Sequence, residues 1–193
     1  MFLLLGIHGK ARAGKDTVAK YLVESHGFMR NAFADPLKRA AQHMFCLTDA
    51  QTWDDDLKEV VIPFWGKSPR QLFQLLGTEG GRQVFGEDLW LKRWRYHYDQ
   101  YSPHVNYVTP DVRFDNEADL IRALGGTVIH VVSARGLTGL AENTKTHASE
   151  AGVKFHESDV ILPNNGTFKT LYDGIDAVIQ ELRPHSMPAV RHV

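Results

Sequence analysis

The stretch FLLLGIHGKARAGKDT, residues 2–17, constrains the fold more than any other part of the chain. An apolar run without alternation is the signature of a strand buried on both faces, as in the middle of a parallel sheet. Here the run feeds directly into a glycine-rich loop. Gly9, Gly14 and Lys15 match the spacing G-x-x-x-x-G-K-[ST], but the next residue is Asp16, and the hydroxyl arrives one place later at Thr17. In a strand–loop–helix context such glycines let backbone N–H groups turn inward, and the following helix adds its positive end. The stretch therefore predicts a phosphate cradle built from Gly9, Ala11, Ala13, Gly14, Lys15, Asp16 and Thr17, with Lys15 beside the terminal phosphates. Asp16 cannot simply replace a neutral hydroxyl beside a polyphosphate. It either points away as a first-turn residue or reaches magnesium through water, leaving Thr17 for a phosphate oxygen.

The rest of the chain alternates short apolar strands with helices, which implies an α/β/α sandwich around a parallel sheet. FMRNAF (28–33), NYVT (106–109), TVIHVV (127–132) and SDVILPNNG (158–166) read as further strands, the last followed by a tight turn. DPLKRAAQHMF (35–45) places Leu37, Ala40, Ala41, Met44 and Phe45 on one helical face, with Asp35 as cap and Pro36 in the first turn. SPRQLFQLLGTEGGRQVF (68–85) starts with a Ser-Pro cap, with Leu72, Leu75 and Leu76 on one side. Gly77 and the Gly80-Gly81 pair are expected to interrupt it. Residues 88–99 and 116–124 read as helices, and 168–182 is the clearest amphipathic helix. At 193 residues the expectation is one domain over 1–185, with a helical insertion at about 47–100, a lid at about 134–156 and a tail at 186–193.

A formal net charge of −1 gives no global field for recruiting nucleic acid or an anionic membrane, so any anion site must be local. The single cysteine, Cys46, excludes an internal disulfide and suits a cytoplasmic setting. The apolar start is too short to span a bilayer. None of the ten histidines sits in H-E-x-x-H or a cysteine-paired spacing, so no structural zinc is expected. Local cations that could hold an anionic acceptor are Lys38, Arg70, Arg82 and Arg113; the planar guanidinium suits phosphate especially well. Arg113 and Asp111 follow a strand that delivers its carboxyl end to the ligand crevice. Asp111 can orient a magnesium-bound water, accept a proton or cap a turn. The polar stretch 134–156 holds Arg135, Lys145, His147 and Glu150, and reads either as a water-excluding flap, with Arg135 set to stabilise transferring charge, or as a solvated loop. Asn164, Asn165 and Gly166 offer amide edges to a base or form a plain turn.

Six blocks together resemble the phage deoxynucleoside monophosphate kinases, a group of P-loop kinases. They are GKARAGKDT (9–17), FADPLK (33–38), QLLGTEGGRQVFGEDLW (74–90), PDVRFDNEA (110–118), HASE (147–150) and SDVILPNNGT (158–167). The resemblance implies ATP- and magnesium-dependent phosphoryl transfer to a deoxynucleoside monophosphate. It puts Gly9 to Thr17 on the ATP phosphates and Asn164 to Gly166 near the adenine. Asp35 and Lys38 would face the acceptor, and Arg70, Gln74, Glu79, Arg82, Trp90 and Glu117 would shape its pocket. Gln74, Glu79 and Glu117 serve equally well as helix caps. Arg113 would meet the acceptor phosphate, Arg135 would belong to the lid, and Asp16 and Thr17 would attend the magnesium. A homodimer is compatible with it, as is a host cytoplasm for a phage-encoded enzyme. Selection of deoxyribose points to an aromatic ring filling the 2′ position, with Phe33, Trp65 and Trp90 as options beside plain core packing. Two other readings share much of the pattern: another small-molecule P-loop kinase, such as a dephospho-coenzyme A kinase, and an ATPase or regulatory module without a small acceptor.

Overall fold

The computed structural model describes residues 2–101, 104–133 and 152–183. Its strands are β1 (Leu4–His8), β2 (Met29–Arg30), β3 (Tyr107–Thr109), β4 (Thr127–Val132) and β5 (Val160–Pro163). They form one sheet in the order β2-β3-β1-β4-β5, and every pairing is parallel. The apolar run thus becomes the central strand, flanked on both sides: Gly6 lies opposite Thr109 on β3 and Val128 on β4.

Parallel strands need crossovers. In this unit α1 (Lys15–His26) links β1 to β2 and α7 (Asp115–Ala123) links β3 to β4, while α8 (Phe168–Leu182) follows β5. The two-residue period of β1 sorts its contacts. Leu3, Leu5 and Ile7 join Val18 and Leu22 of α1 and Leu171, Ile175 and Ile179 of α8 in one buried cluster. Gly6 turns to the other face, where a methyl group would stand 3.4 Å from Ile121 of α7. Each fully buried aliphatic side chain, such as Ile7, Leu22 or Ile175, stabilises the unit by about 2 kcal/mol. This α/β arrangement leaves the carboxyl ends of β1, β3, β4 and β5 at one edge, where the phosphate loop starts.

The chain divides into two compact units, one formed by residues 1–30 and 102–193 and the other by Asn31–Tyr101. The second is helical, and wider than the insertion expected at 47–100. It contains α2 (Asp35–Met44), α3 (Asp49–Trp53), α4 (Pro69–Gln74), a π-helical turn (Leu75–Arg82), α5 (Gln83–Phe85) and α6 (Leu89–Tyr101), with a 3-10 turn at Leu57–Glu59. Ala41, Leu47, Leu72 and Phe73 make a small core, and Trp94 is fully buried with Phe33 against its ring at 5.5 Å.

Three local expectations need correction. The strand expected over 28–33 pairs only at Met29–Arg30; beyond it, the Asn31 carbonyl and side chain are both taken up by Trp94. The glycines of LLGTEGG do not break the helix. The chain runs from α4 through the π-helical turn into α5, with Gln83 N–H reaching the Thr78 carbonyl. Gly77 and Gly81 instead permit close packing, since a methyl group would stand 2.7 Å from Leu37 or 3.1 Å from Trp90. On the amphipathic faces, Met44 is 60% exposed and Leu75 is 40% exposed, while Phe73 takes the buried place.

Candidate active site

The phosphate loop leaves β1 at Gly9. A side chain there would meet the Val131 carbonyl of β4 at 2.6 Å, so the loop hugs the neighbouring strand only because Gly9 has none. Gly14 caps α1 in the left-handed region, at φ 101°. The space beside it belongs to Asn164, whose amide group would collide with a methyl on Gly14. That same amide donates to the Ala13 carbonyl at 2.9 Å. Asn164 therefore braces the loop from the turn after β5, a role beyond the base contact expected of it. The Asn164 N–H is itself held by the Val132 carbonyl at 2.7 Å. Lys15 curls over its own loop, with Nζ donating to the carbonyls of Gly9 and Lys10 at 2.8 Å each. Ala11 is exposed and Ala13 buried. Asp16 is exposed in the first turn of α1 and lines an open groove of about 360 Å³ with Lys20, Glu24 and Arg30. Thr17 is partly buried, and Asn165 and Gly166 lie on the surface of the turn.

The loop after β3 comes next to this cradle because β3 pairs with β1, and the Val112 N–H reaches the Ile7 carbonyl at 3.2 Å. Asp111 and Arg113 flank that anchor. Glu117 is 3% exposed, and its carboxylate accepts from the N–H groups of Arg113 (2.8 Å) and Phe114 (3.2 Å). Glu117 is thus the brace that fixes the Arg113 backbone at the start of α7. The exposed Arg113 guanidinium makes no hydrogen bond among the described residues.

Behind the loop lies a polar network that sequence reasoning missed. The Asp159 side chain is fully buried. It receives Arg122 Nε (3.0 Å) and Nη2 (2.7 Å), His130 Nε2 (2.8 Å) and the His156 N–H (3.0 Å). Burial alone would push this carboxyl up, but the bonds from Arg122, His156 and His130 hold it below the usual carboxylate range. Its three side chains come from α7, β4 and the approach to β5, so no local motif announces them. The only hint is a histidine inside the apolar run TVIHVV.

The second unit carries the remaining expected site residues. Asp35 opens α2, and Lys38 lies over the Trp53 ring at 4.9 Å. Arg70 forms an ion pair with Glu59. Asp55 pairs with Lys58, which keeps its carboxyl below the usual range, with Lys38 and Arg70 adding to the effect. Basic groups therefore gather around this acidic turn. Trp90 Nε1 donates to the Gly77 carbonyl at 2.9 Å, which pins the π-helical turn. Gln74 ends α4, while Glu79 and Arg82 sit on that turn. Trp65 donates to the Phe45 carbonyl at 3.0 Å, and Phe33 is buried against Trp94, a core position. Arg135, Lys145, His147 and Glu150 lie outside the described residues, as does most of the expected lid. Among the described residues no helix is long and apolar enough to cross a membrane, and no group of three or more acidic, His or Cys side chains could hold a metal ion.

The sequence model of the deoxynucleotide monophosphate kinases matches residues 58–175. A protein of Acanthamoeba polyphaga mimivirus assigned as a deoxynucleotide monophosphate kinase is 34% identical, over 90% of this chain and 94% of its own length. The deoxynucleotide monophosphate kinase of Enterobacteria phage T4 is 26% identical, over 93% of this chain and 99% of its own. Among solved structures, TT1252 from Thermus thermophilus superposes with a TM-score of 0.51 at 20% identity, covering 95% of this chain and 99% of that one, a likeness of fold. With a phosphate loop on the central strand and relatives along nearly its whole length, the chain belongs to the deoxynucleotide monophosphate kinase family.

Proposed function

We propose that this chain transfers the γ-phosphoryl group of ATP to a deoxynucleoside monophosphate, giving the deoxynucleoside diphosphate and ADP. The observation that carries the reading is the loop Gly9–Thr17, braced by Asn164, joined in one unit to the loop bearing Asp111 and Arg113. Phosphoryl transfer needs little covalent chemistry from protein; positioning and charge neutralisation do most of the work. Backbone N–H groups from Gly9 to Thr17 hold the ATP phosphates. Lys15, now on the carbonyls of Gly9 and Lys10, swings to the terminal phosphates. Arg113, its backbone fixed by Glu117, binds the acceptor phosphate. Arg135 neutralises charge on the transferring group, and Asp111 orients water or the acceptor. Lys38, Arg70, Arg82 and Trp90 belong to acceptor recognition on the second unit, and Arg70 exchanges Glu59 for substrate when it binds.

Magnesium fits this donor set. The carboxylate of Asp16 and the hydroxyl of Thr17 stand at the first turn of α1, and this hard cation takes one or two protein oxygens together with phosphates and waters. When bound, it would neutralise charge on the phosphates.

The test is an acceptor panel. The pure protein is given magnesium-ATP and each common deoxy- and ribonucleoside monophosphate, and ADP and diphosphate are measured. Diphosphate from deoxy acceptors, abolished by Lys15→Ala, supports the proposal. ADP formed equally with and without acceptor refutes it in favour of an ATPase, and turnover with dephospho-coenzyme A alone refutes it in favour of that kinase. Equal use of ribonucleotides removes the proposed aromatic selection against the 2′-hydroxyl.

A further inference from the structure

His8 closes β1 at the step into the phosphate loop, where the loop motif itself asks for no histidine. Its ring makes two polar contacts, and both partners have fixed roles. Nδ1 lies 2.9 Å from the Val112 carbonyl, which can only accept. Nε2 lies 3.4 Å from the Val153 N–H, which can only donate. The partners therefore assign the tautomer: the proton sits on Nδ1 and Nε2 is the acceptor. Gly152 comes as close as this contact requires, and a methyl on it would be 3.8 Å from Nε2. The His130 ring on β4 meets His8 edge to face at 5.1 Å, and His130 is itself tied to Asp159.

We propose that His8 is a positioning residue for acceptor handling, its ring tying the Asp111–Arg113 loop and the segment that begins at Gly152 to the root of the phosphate loop. The assignment rests on the kinase reading of Arg113. One imidazole bridges three stretches that are more than a hundred residues apart at their extremes, at the point where the donor and acceptor phosphates are handled.

The bridge holds only in the neutral form. A protonated ring presents two donors, and Nε2–H would face the Val153 N–H. The surroundings resist that protonation. Burial lowers the His8 pKa first, and His130 on β4 and Lys15 of α1 lower it further, against the Val112 hydrogen bond and the negative charge of Asp159 before β5. Asp111, Arg113 and Asp115 are the charged residues of the tethered loop and the start of α7, and Lys154 follows Val153.

The experiment compares wild type, His8→Ala and His8→Asn by steady-state kinetics with magnesium-ATP and a deoxynucleoside monophosphate, and by amide hydrogen exchange. One lost hydrogen bond to a positioned loop predicts a rise of about three- to tenfold in the acceptor KM of His8→Ala. The KM for ATP stays within about twofold, and exchange at Val112–Arg113 and Val153 speeds up. His8→Asn, whose side-chain N–H can serve the Val112 carbonyl, recovers most of the acceptor KM. An acid limb of acceptor kcat/KM is expected in wild type beyond the titration of the monophosphate itself, and His8→Asn should lack that component. An unchanged acceptor KM in His8→Ala, equal rises in both KM values, or the same acid limb in wild type and His8→Asn overturns the proposal. Should His8→Ala not fold, the His8→Asn profile decides alone. Should wild type show no acceptor-dependent turnover, the kinase reading fails, and exchange at Val153 still decides the tether: unchanged protection in the variants refutes it.

Discussion

Asp159→Ala is the most demanding test of how this unit is held together. The carboxylate accepts two hydrogen bonds from Arg122, one from His130 and one from the His156 N–H, and its side chain sees no solvent. Removing one partner of a buried ion pair costs about 3–5 kcal/mol, because the other charge is left behind. Arg122 is only 14% exposed, but it keeps Asp119 (2.8 Å) and the Lys154 carbonyl (3.0 Å). The loss should therefore fall near the lower end, about 3 kcal/mol. For a domain of this size that is a drop of about 6–12 °C in Tm. Asp159→Asn retains an acceptor oxygen and should lose about half as much. The assay is urea unfolding and thermal melting of wild type and both variants. A loss below about 1 kcal/mol for Asp159→Ala, or an Asn variant as stable as wild type, would refute the view that charge pairing at Asp159 organises this region.

Other consequences follow from single contacts. Because the Asp159 carboxyl is held below its usual value near 3.8, its stabilisation is complete above that pH and is lost as the pH falls through the lowered folded value; acid unfolding of wild type but not Asp159→Asn should show this step. Gly14→Ala forces a side chain into the left-handed region and into Asn164, so the KM for ATP should rise by about tenfold or more, and an ATP KM like that of wild type would show the loop to be slack. Trp90→Phe removes the bond to the Gly77 carbonyl; a loss of about 1 kcal/mol is expected in melting, and no change would mean that the π-helical turn holds itself.

Local patterns announced much of this architecture. The apolar run before Gly9 is the central strand, and the three-and-four spacing of 168–182 is the helix α8, with Leu171, Ile175, Val178 and Ile179 buried. The phosphate loop was legible because its residues are contiguous and its chemistry needs that spacing. What stayed hidden depends on distant partners. The glycines of LLGTEGG look like breaks until Leu37 and Trp90 stand against them. Asn164 looks like a turn residue until Ala13 is beside it. Arg122, His130 and Asp159 share no spacing, and His8 gains meaning only when Val112 and Val153 reach its two nitrogens. Glu117 could be read either as pocket or as cap, and only the positions of the Arg113 and Phe114 N–H groups show it capping.

The central claim concerns the destination of one phosphoryl group. ATP labelled at the γ-phosphate, incubated with the protein, magnesium and a deoxynucleoside monophosphate, tests it most directly. The account predicts that the label appears in the β-phosphate of the deoxynucleoside diphosphate, in step with ADP, and that Lys15→Ala removes it. Label released as inorganic phosphate, at a rate indifferent to the monophosphate, would contradict it.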